Sequence, residues 1–294
     1  MQYVKFFLFF IFLFSLISVA SATDFNTGVT HVWSLNETGS TILDSVGAND
    51  GTVTGTVRSV DGVNDKARET DYWFLWRDDI DIGPMNDIND FTISFWFHPD
   101  DSSTGHILAH DTSLAISFDT TTWGAPADTI TVYKNCGASC GNAWDSSSTA
   151  LTLNAWNHVL IRRESADVNI SINGGAFEAN RLRSSSPFGT GALGSGAETF
   201  KILQQGGFRG TNPNGIVDEI IMWDYAMTPA QKDEFYTTYI ALNETYPFPP
   251  PGSFTFNSVS ADNTFAITEF IGVDGKNFTL KGEPYHLMGA DSYY

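Results

Sequence analysis

Between Trp156 and Gly174 the chain reads WNHVLIRRESADVNISING, with apolar and polar positions alternating in two runs. Val159 and Ile161 alternate with Leu160 and Arg162, and Val168, Ile170 and Ile172 alternate with Asn169, Ser171 and Asn173. A period of two puts one set of side chains on one side of a strand, so each run predicts a strand with one buried face. The polar text Arg163–Asp167 predicts the turn between them, and Asn173-Gly174-Gly175 tolerates positive φ for the next reversal. A lone hairpin is marginal in water, so a larger sheet must surround this one.

The same signal recurs from Val29 onward. His31, Trp33 and Leu35 alternate with Val32 and Ser34, and the turn formers Asp44–Gly51 precede the β-branched run Thr52–Val57. Tyr72–Trp76 and Ile80–Ile82 flank Arg77-Asp78-Asp79. Phe91–His98, FTISFWFH, is apolar enough for burial on both faces. Ile107–Ala109, Leu114–Phe118, Ile130–Tyr133, Phe200–Leu203 and Ile216–Trp223 follow at strand length, with Ser184–Gly196 as a Ser/Gly loop. Thr228–Tyr236 is the one convincing helix, capped by Thr228 with Pro229 in its first position. Many short strands with almost no helix predict an all-β sandwich or barrel. Tyr246–Gly252 is proline-rich and predicts an extended spacer, and Phe270–Tyr294 predicts a small hairpin.

Composition narrows the partners. A net charge of −19 argues against nucleic acid and anionic membrane surfaces, which need basic patches. Loop aspartates suit a hard cation such as calcium, although acidity is also a common solubility device. At the N-terminus, Lys5, the apolar run from Phe6 to Ile17 and Ala20-Ser21-Ala22 form a secretion signal, predicting cleavage after Ala22 and no membrane anchor afterwards. The two cysteines, Cys136 and Cys140, then close a small loop disulfide in an oxidising compartment. Asn36, Asn169, Asn243 and Asn277 begin glycosylation sequons.

Four segments together resemble the laminin-G-like, concanavalin-A-like jelly-roll domains. HVWSLNETGSTILDSVGANDGTV resembles the opening strand and its Asp-Ser-x-Gly-x-Asn-x-Gly loop, and FTISFWFHP the central strand. WNHVLIRRESADVNISINGG resembles the hairpin, and GIVDEIIMWDYAMTPAQKDEFY the closing strand and helix. The resemblance implies a two-sheet antiparallel jelly-roll sandwich over residues 23–245 with one short C-terminal helix. A signal peptide, 1–22, precedes it; a proline-rich linker, 246–256, and a tail, 257–294, follow. It also implies a carbohydrate or protein ligand and, often, a structural calcium. The last 25 residues, FIGVDGKNFTLKGEPYHLMGADSYY, are similar to the first strands of TIM-barrel glycoside hydrolases of the mannanase and cellulase clan. A barrel needs about 200 residues or more, so the tail is expected to be the truncated start of a catalytic domain.

The candidate calcium ligands are Asp44 and Asn49 in the early loop and Asp218 and Glu219 in the closing strand, where one ion would join the first strand to the last. The other reading makes Asp44 a turn former and Asp218-Glu219 a hydrogen-bonding pair. Asp78, Asp79, Asp81, Asp87 and Asp90 imitate an EF-hand start, but Pro84 stands where glycine is required, so a solvated loop is expected. For sugar binding the candidates are loop aromatics able to stack on apolar sugar faces: Tyr72, Trp73, Trp76, Trp123, Trp144 and Phe208. Trp33, Trp96, Trp156 and Trp223 sit at strand positions and are assigned to the core.

Catalytic strings lack their context. Gly137–Gly141 matches the nucleophile elbow without a strand–turn–helix, and Gly189–Gly194 matches a dinucleotide fingerprint without a preceding strand. His106 and His110 lack the glutamate of a zinc protease. No strand carries the Glu-x-Asp-x-x-Glu spacing of jelly-roll glycosidases, and the adjacent Asp218 and Glu219 would face opposite sides of a regular strand. The expectation is a secreted, non-catalytic, lectin-like module for glycans or polysaccharide. The alternatives are the N-terminal part of a glycoside hydrolase and an adhesion domain for protein.

Overall fold

The computed structural model describes residues 22–248 except 71–77, 86–88, 111–113, 122–123, 136–141, 179, 184–198 and 204–211, and then 271–274, 277–280 and 283–285. With strands numbered in chain order, a seven-stranded antiparallel sheet runs β13 (Asp167–Ile172), β12 (Asn157–Glu164), β7 (Phe91–Pro99), β16 (Gly215–Trp223), β5 (Lys66–Thr70) and β4 (Arg58–Asp61). Its remaining strand, β1 (Val29–Trp33), also pairs with β16. A nine-stranded sheet begins β14 (Asn180–Arg183), β11 (Asn142–Ser146), β10 (Ile130–Asn135), β9 (Leu114–Phe118) and β8 (Gly105–His110). It continues β15 (Thr199–Ile202), β6 (Asp79–Pro84), β3 (Gly51–Thr54) and β2 (Thr41–Ile42).

Alternation along β7 explains why it is central. Phe91, Ile93, Phe95 and Phe97 are buried in the main core, while Thr92, Ser94, Trp96 and His98 take the other face. Val159 and Ile161 of β12 and Val217, Ile220 and Met222 of β16 share that core with Ile116 and Phe118 of β9 and Ile80 and Ile82 of β6. The Phe97 and Phe118 rings meet edge to face with centroids 5.5 Å apart. Each such side chain contributes roughly 1.5–3 kcal/mol of burial. The result is the expected all-β, two-sheet jelly-roll sandwich.

A second apolar cluster lies on the outer face of the seven-stranded sheet. Val32, Leu160, Ile221 and Trp223 pack with Phe25, Met227, Phe235, Tyr239, Ile240 and Phe248. Helix α1 (Pro229–Phe235) supplies part of it and continues as a π-helical turn, Tyr236–Ile240. Its start is a capping box: Thr228 Oγ1 accepts from the Gln231 amide at 3.2 Å, and Gln231 Oε1 accepts from the Thr228 amide at 2.9 Å. Lys232 Nζ ties the helix to the end of β13 by donating to the carbonyls of Gly174 (2.9 Å) and Gly175 (2.8 Å). Gly174 has φ +74°, and a Cβ there would lie 2.4 Å from the Tyr236 ring, so no other residue fits.

Some expectations change. Glu164 pairs with Asp167, so the turn between β12 and β13 shrinks to Ser165-Ala166, and Arg163 is buried, donating to the carbonyls of Asn89 (2.9 Å) and Ser165 (3.0 Å). Phe248, read as spacer, is buried, and its amide and carbonyl bond the Asn26 side chain at 3.0 Å each. The tail forms its own compact unit, Ser253–Tyr294, with β17 (Ile271–Asp274), β18 (Asn277–Leu280) and β19 (Glu283–Tyr285) in an antiparallel meander rather than a single hairpin. The signal segment 1–21 lies outside the described residues, and among those described no helix is long and apolar enough to cross a membrane.

Candidate functional site

The outer face of the nine-stranded sheet is built differently from the sealed one. Ile130 and Val132 of β10 point into the core, so Thr131 and Tyr133 take the outer side. Register extends each into a row across the strands. His106 pairs with Ser117, Ser117 with Thr131, and Thr131 with Ser146. One step along, Asp81 pairs with Lys201, Lys201 with Ala109, Ala109 with Ala115, and Ala115 with Tyr133. A row of hydroxyls and imidazole thus lies beside a row with a small, flat alanine floor between a lysine and a tyrosine.

The polar row is buried. Ser117, Thr131 and Ser146 are fully inaccessible and His106 nearly so. His106 Nδ1 lies 2.7 Å from Ser117 Oγ, and Thr120 Oγ1 lies 2.7 Å from Thr131 Oγ1. Burial pushes the His106 imidazole down to about 4, so it works as a neutral donor and acceptor at physiological pH. Lys201 Nζ reaches Asp79 Oδ2 at 2.6 Å and Asp81 Oδ2 at 3.8 Å. Burial nevertheless raises the Asp79 carboxyl, its loss of water outweighing Lys201. Ser146 Oγ and Asp79 Oδ1 are buried without a hydrogen-bond partner. Buried polar atoms are rarely left unpaired, so both are acceptors or donors in want of a partner.

This face corrects one expectation. Asp79–Pro84 is not a solvated loop but strand β6 inside the nine-stranded sheet, with Asp78 and Asp79 buried. Asp78 accepts from the Thr56 amide at 2.7 Å and the Thr56 hydroxyl at 2.8 Å. Asp79 and Asp81 therefore share one face of one strand, which reaches beyond the Ile80–Ile82 run on both sides. Asp79 is 2% exposed and clamped by Lys201, so it holds the strand rather than reaching a substrate.

The proposed ligand aromatics Tyr72, Trp73, Trp76, Trp123 and Phe208 lie outside the described residues, as do Cys136 and Cys140. Trp144 is placed by its backbone on β11, paired in register with Tyr133. Trp33 and Trp223 are core, as expected, but Trp96 and Trp156 are only half-buried.

The four candidate metal ligands are held by different neighbours. Asp44 accepts from the amides of Val32 (3.0 Å), Val46 (3.3 Å), Gly47 (2.9 Å) and Asn49 (3.2 Å), and lies 2.6 Å from His31 Nδ1. Burial would raise this carboxyl, but the His31 bond and those amides outweigh it and hold it at about 2. Asn49 spends its side-chain N–H groups on the carbonyls of Ile82 and Pro84, both at 3.0 Å. Asp218 accepts from the amides of Val63 (2.8 Å) and Glu219 (2.9 Å), and burial raises it to about 7. Glu219, raised to about 8 by burial and then by Asp218, has φ +49° and an unpartnered Oε1. The register shift between Asp218 and Ile221 is a bulge, so the two carboxyls do not follow the alternation of a regular strand. Among the described residues no group of three or more His, Cys, Asp or Glu could hold a metal.

A family model described as the concanavalin A-like lectin/glucanases superfamily matches residues 78–231. No curated protein sequence matches the chain. Among solved structures, domain 4 of AbnA, a GH43 extracellular arabinanase from Geobacillus stearothermophilus in complex with arabinotriose, is 17% identical with a TM-score of 0.52, covering 71% of this chain and 98% of that one. The binding domain of Paraclostridial Mosquitocidal Protein 1 is 16% identical with a TM-score of 0.53, covering 72% of this chain and 52% of that one. Trypanosoma rangeli sialidase in complex with 2,3-difluorosialic acid is 12% identical with a TM-score of 0.50, covering 74% of this chain and 34% of that one. The chain thus spans about a third of the sialidase and half of the mosquitocidal binding-domain chain. These likenesses establish the fold. They also overturn the expectation of a chain with no enzyme role, since this sandwich recurs in chains of an arabinanase and a sialidase.

Proposed function

Because the chain belongs to the concanavalin A-like lectin/glucanases superfamily, we propose that its sandwich is the carbohydrate-recognising domain of a secreted glycoside hydrolase. The outer face of the nine-stranded sheet is its ligand surface. The observation that carries this reading is the family match over residues 78–231; the row His106–Ser117–Thr131–Ser146 and Tyr133 are buried and form the floor beneath that face. Polar groups at the rim of such a face bond sugar hydroxyls, and loop aromatics stack on sugar faces. A net charge of −19 and a neutral His106 favour an uncharged glycan over an acidic one. Trp123 and Trp144 extend the stacking surface in this reading, and Cys136–Cys140 closes a loop once residues 1–22 are removed on secretion. The tail strands β17–β19 carry the text similar to the start of mannanase and cellulase barrels, which supports an attached catalytic domain.

Affinity electrophoresis through arabinan, mannan and mixed-linkage β-glucan tests the ligand face. Retardation by one of these neutral polymers, weakened at least tenfold by Trp123→Ala or by Trp144→Ala, is expected. Migration unaffected by all three overturns the reading. Release of reducing ends from the retained polymer by the natural gene product tests the hydrolase assignment.

A further inference from the structure

The cluster that seals the seven-stranded sheet covers only part of its outer face. Toward the Gly215 end of β16, one row crosses four adjacent strands, reaches the residue before a fifth, and stays half-exposed or exposed. Ile216 pairs with His98 on β7 and with Glu69 on β5, and Glu69 pairs with Arg58 on β4. At the other end Trp156, directly before β12, packs edge-on to His98 with centroids 5.5 Å apart and planes at 69°. Four inter-strand spacings of about 4.8 Å give the row a length of about 19 Å.

The row has an order of its own. Trp156 is a half-exposed indole at one end. His98 Nδ1 lies 3.0 Å from Asp100 Oδ1, which fixes the imidazole. Ile216 gives a short apolar floor. At the far end Arg58 meets Glu69 through Nε at 3.0 Å and Nη2 at 2.8 Å, so a planar fork and a carboxylate are held in place. Arg58 and Glu69 cancel each other's charge, leaving fixed hydrogen-bonding groups with little net charge in a chain that carries −19.

We propose that this row is a second carbohydrate-binding subsite, taking a linear, uncharged oligosaccharide laid across the strands. Trp156 stacks on one sugar ring, His98 and Asp100 bond its hydroxyls, and the Arg58–Glu69 fork bonds a ring further along. Charge complementarity selects the occupant. An acidic sugar meets the field of a strongly acidic chain, a neutral polyol does not, and the fixed carboxylates accept from its hydroxyls. The proposal rests on the carbohydrate reading above but names a surface on the opposite sheet. Two subsites on one domain would raise the apparent affinity for a polymer above that for a short oligosaccharide.

Isothermal titration of the full chain with cellohexaose, mannohexaose and arabinohexaose tests it. For whichever hexasaccharide binds, two sites per chain are expected. Trp156→Ala should leave one site with unchanged affinity and lower retention on the corresponding polymer at least tenfold. Arg58→Ala, whose side chain is 53% exposed, should weaken the same site three- to tenfold at an unchanged melting temperature, so a misfolded tryptophan variant does not decide the matter. One site in the wild type, or two sites insensitive to both variants, overturns the subsite and leaves the nine-stranded face standing. No binding of any hexasaccharide overturns both.

Discussion

On the outer side of the seven-stranded sheet, Val32, Leu160, Ile221 and Trp223 are closed over by Phe25, Phe235, Tyr239 and Phe248. The outer side of the nine-stranded sheet carries Ser117, Thr131, Ser146 and His106 instead, buried beside a cluster that among the described residues holds Ala109, Ala115 and Tyr133. Both sheets need one buried face, and the shared core supplies it. What happens to the second face is a separate choice made by the even-numbered or odd-numbered positions of each strand. β16 carries Ile221 and Trp223 outward and recruits the helix, the N-terminal segment and Phe248 as a lid. β9 and β10 carry Ala115, Ser117, Thr131 and Tyr133 outward, where the two hydroxyls are buried by pairing with His106 and Thr120. One sheet thereby closes its outer face with apolar packing, and the other with paired hydroxyls and an imidazole that leave the Ser146 hydroxyl without a partner.

Substitutions that exchange these roles are the strongest test of the contrast. Phe235→Ala empties the centre of the sealing cluster, where its ring lies 5.2–5.3 Å from those of Phe25, Trp223 and Phe248. A loss of about 3–5 kcal/mol in chemical denaturation is expected, as for other buried phenylalanines. Ser146→Ala on the opposite face removes a hydroxyl that has no partner, and its stability change should be about zero or slightly favourable. Equal losses at both positions would show that the two faces do not differ in kind.

The bulge in β16 sharpens the comparison by pH. Asp218 at about 7 and Glu219 at about 8 lie above their unfolded values of 3.8 and 4.5. The folded chain therefore keeps protons that the unfolded chain has released. Stability is full below about pH 4 and is lost as pH rises through 7 to 8, by on the order of a few kcal/mol. Glu219→Gln should flatten that limb in urea titrations between pH 5 and about 9. On the acid side the signs reverse. His106 and His158, depressed by burial to about 4 and about 3, and Asp44, held at about 2, all cost stability as pH falls. The most stable pH should accordingly lie on the mildly acidic side of neutral, and a maximum above pH 8 would contradict the placement of both carboxyls.

The helix that helps seal the first sheet rests on its cap. Thr228→Ala removes the acceptor for the Gln231 amide and leaves Gln231 without its reciprocal role. About 1 kcal/mol of destabilisation is expected, read as a shift in denaturation midpoint at unchanged slope. That cap was legible in the chain, because Thr-Pro-x-Gln is a local signal. So were β7, β12, β13 and β16, whose apolar periods match one buried face. β6 was not legible. Asp78 and Asp79 look like loop residues until Thr56 and the distant Lys201 are brought against them. Phe248 was hidden for the same reason: its burial depends on Asn26, 222 positions earlier, while its neighbours are prolines that signal a spacer. The proposed calcium set is a different case. The early loop does turn at Asp44, but backbone amides and His31 fill the carboxylate, and no spacing rule distinguishes an aspartate that binds a metal from one that organises its own loop. The polar rows on the nine-stranded sheet arise from pairings between separate strands, so no single stretch announces them.

The smallest expected effect concerns the edge of the sealing lid. The Thr23 amide donates to Glu234 Oε1 at 2.9 Å and the Thr23 hydroxyl to Oε2 at 2.8 Å, pinning the start of the described chain to α1. If secretion removes residues 1–22, that amide becomes an α-ammonium already seated on a carboxylate, and a neutral hydrogen bond becomes a charge-assisted one. A protein beginning at Thr23 should then be more stable than the same protein N-terminally acetylated by about 0.5–1 kcal/mol in low salt, the range of a partly exposed pair. The difference should shrink in high salt and vanish in Glu234→Gln, since screening and loss of the carboxylate remove the same interaction. Paired thermal melts at the two salt concentrations measure it. An acetylated chain as stable as the free one would mean that the lid is held at this corner by hydrogen bonding alone, leaving Phe25 and Trp223, joined through the Trp223 indole N–H to the Phe25 carbonyl at 2.8 Å, as what fastens the N-terminal segment to the sheet.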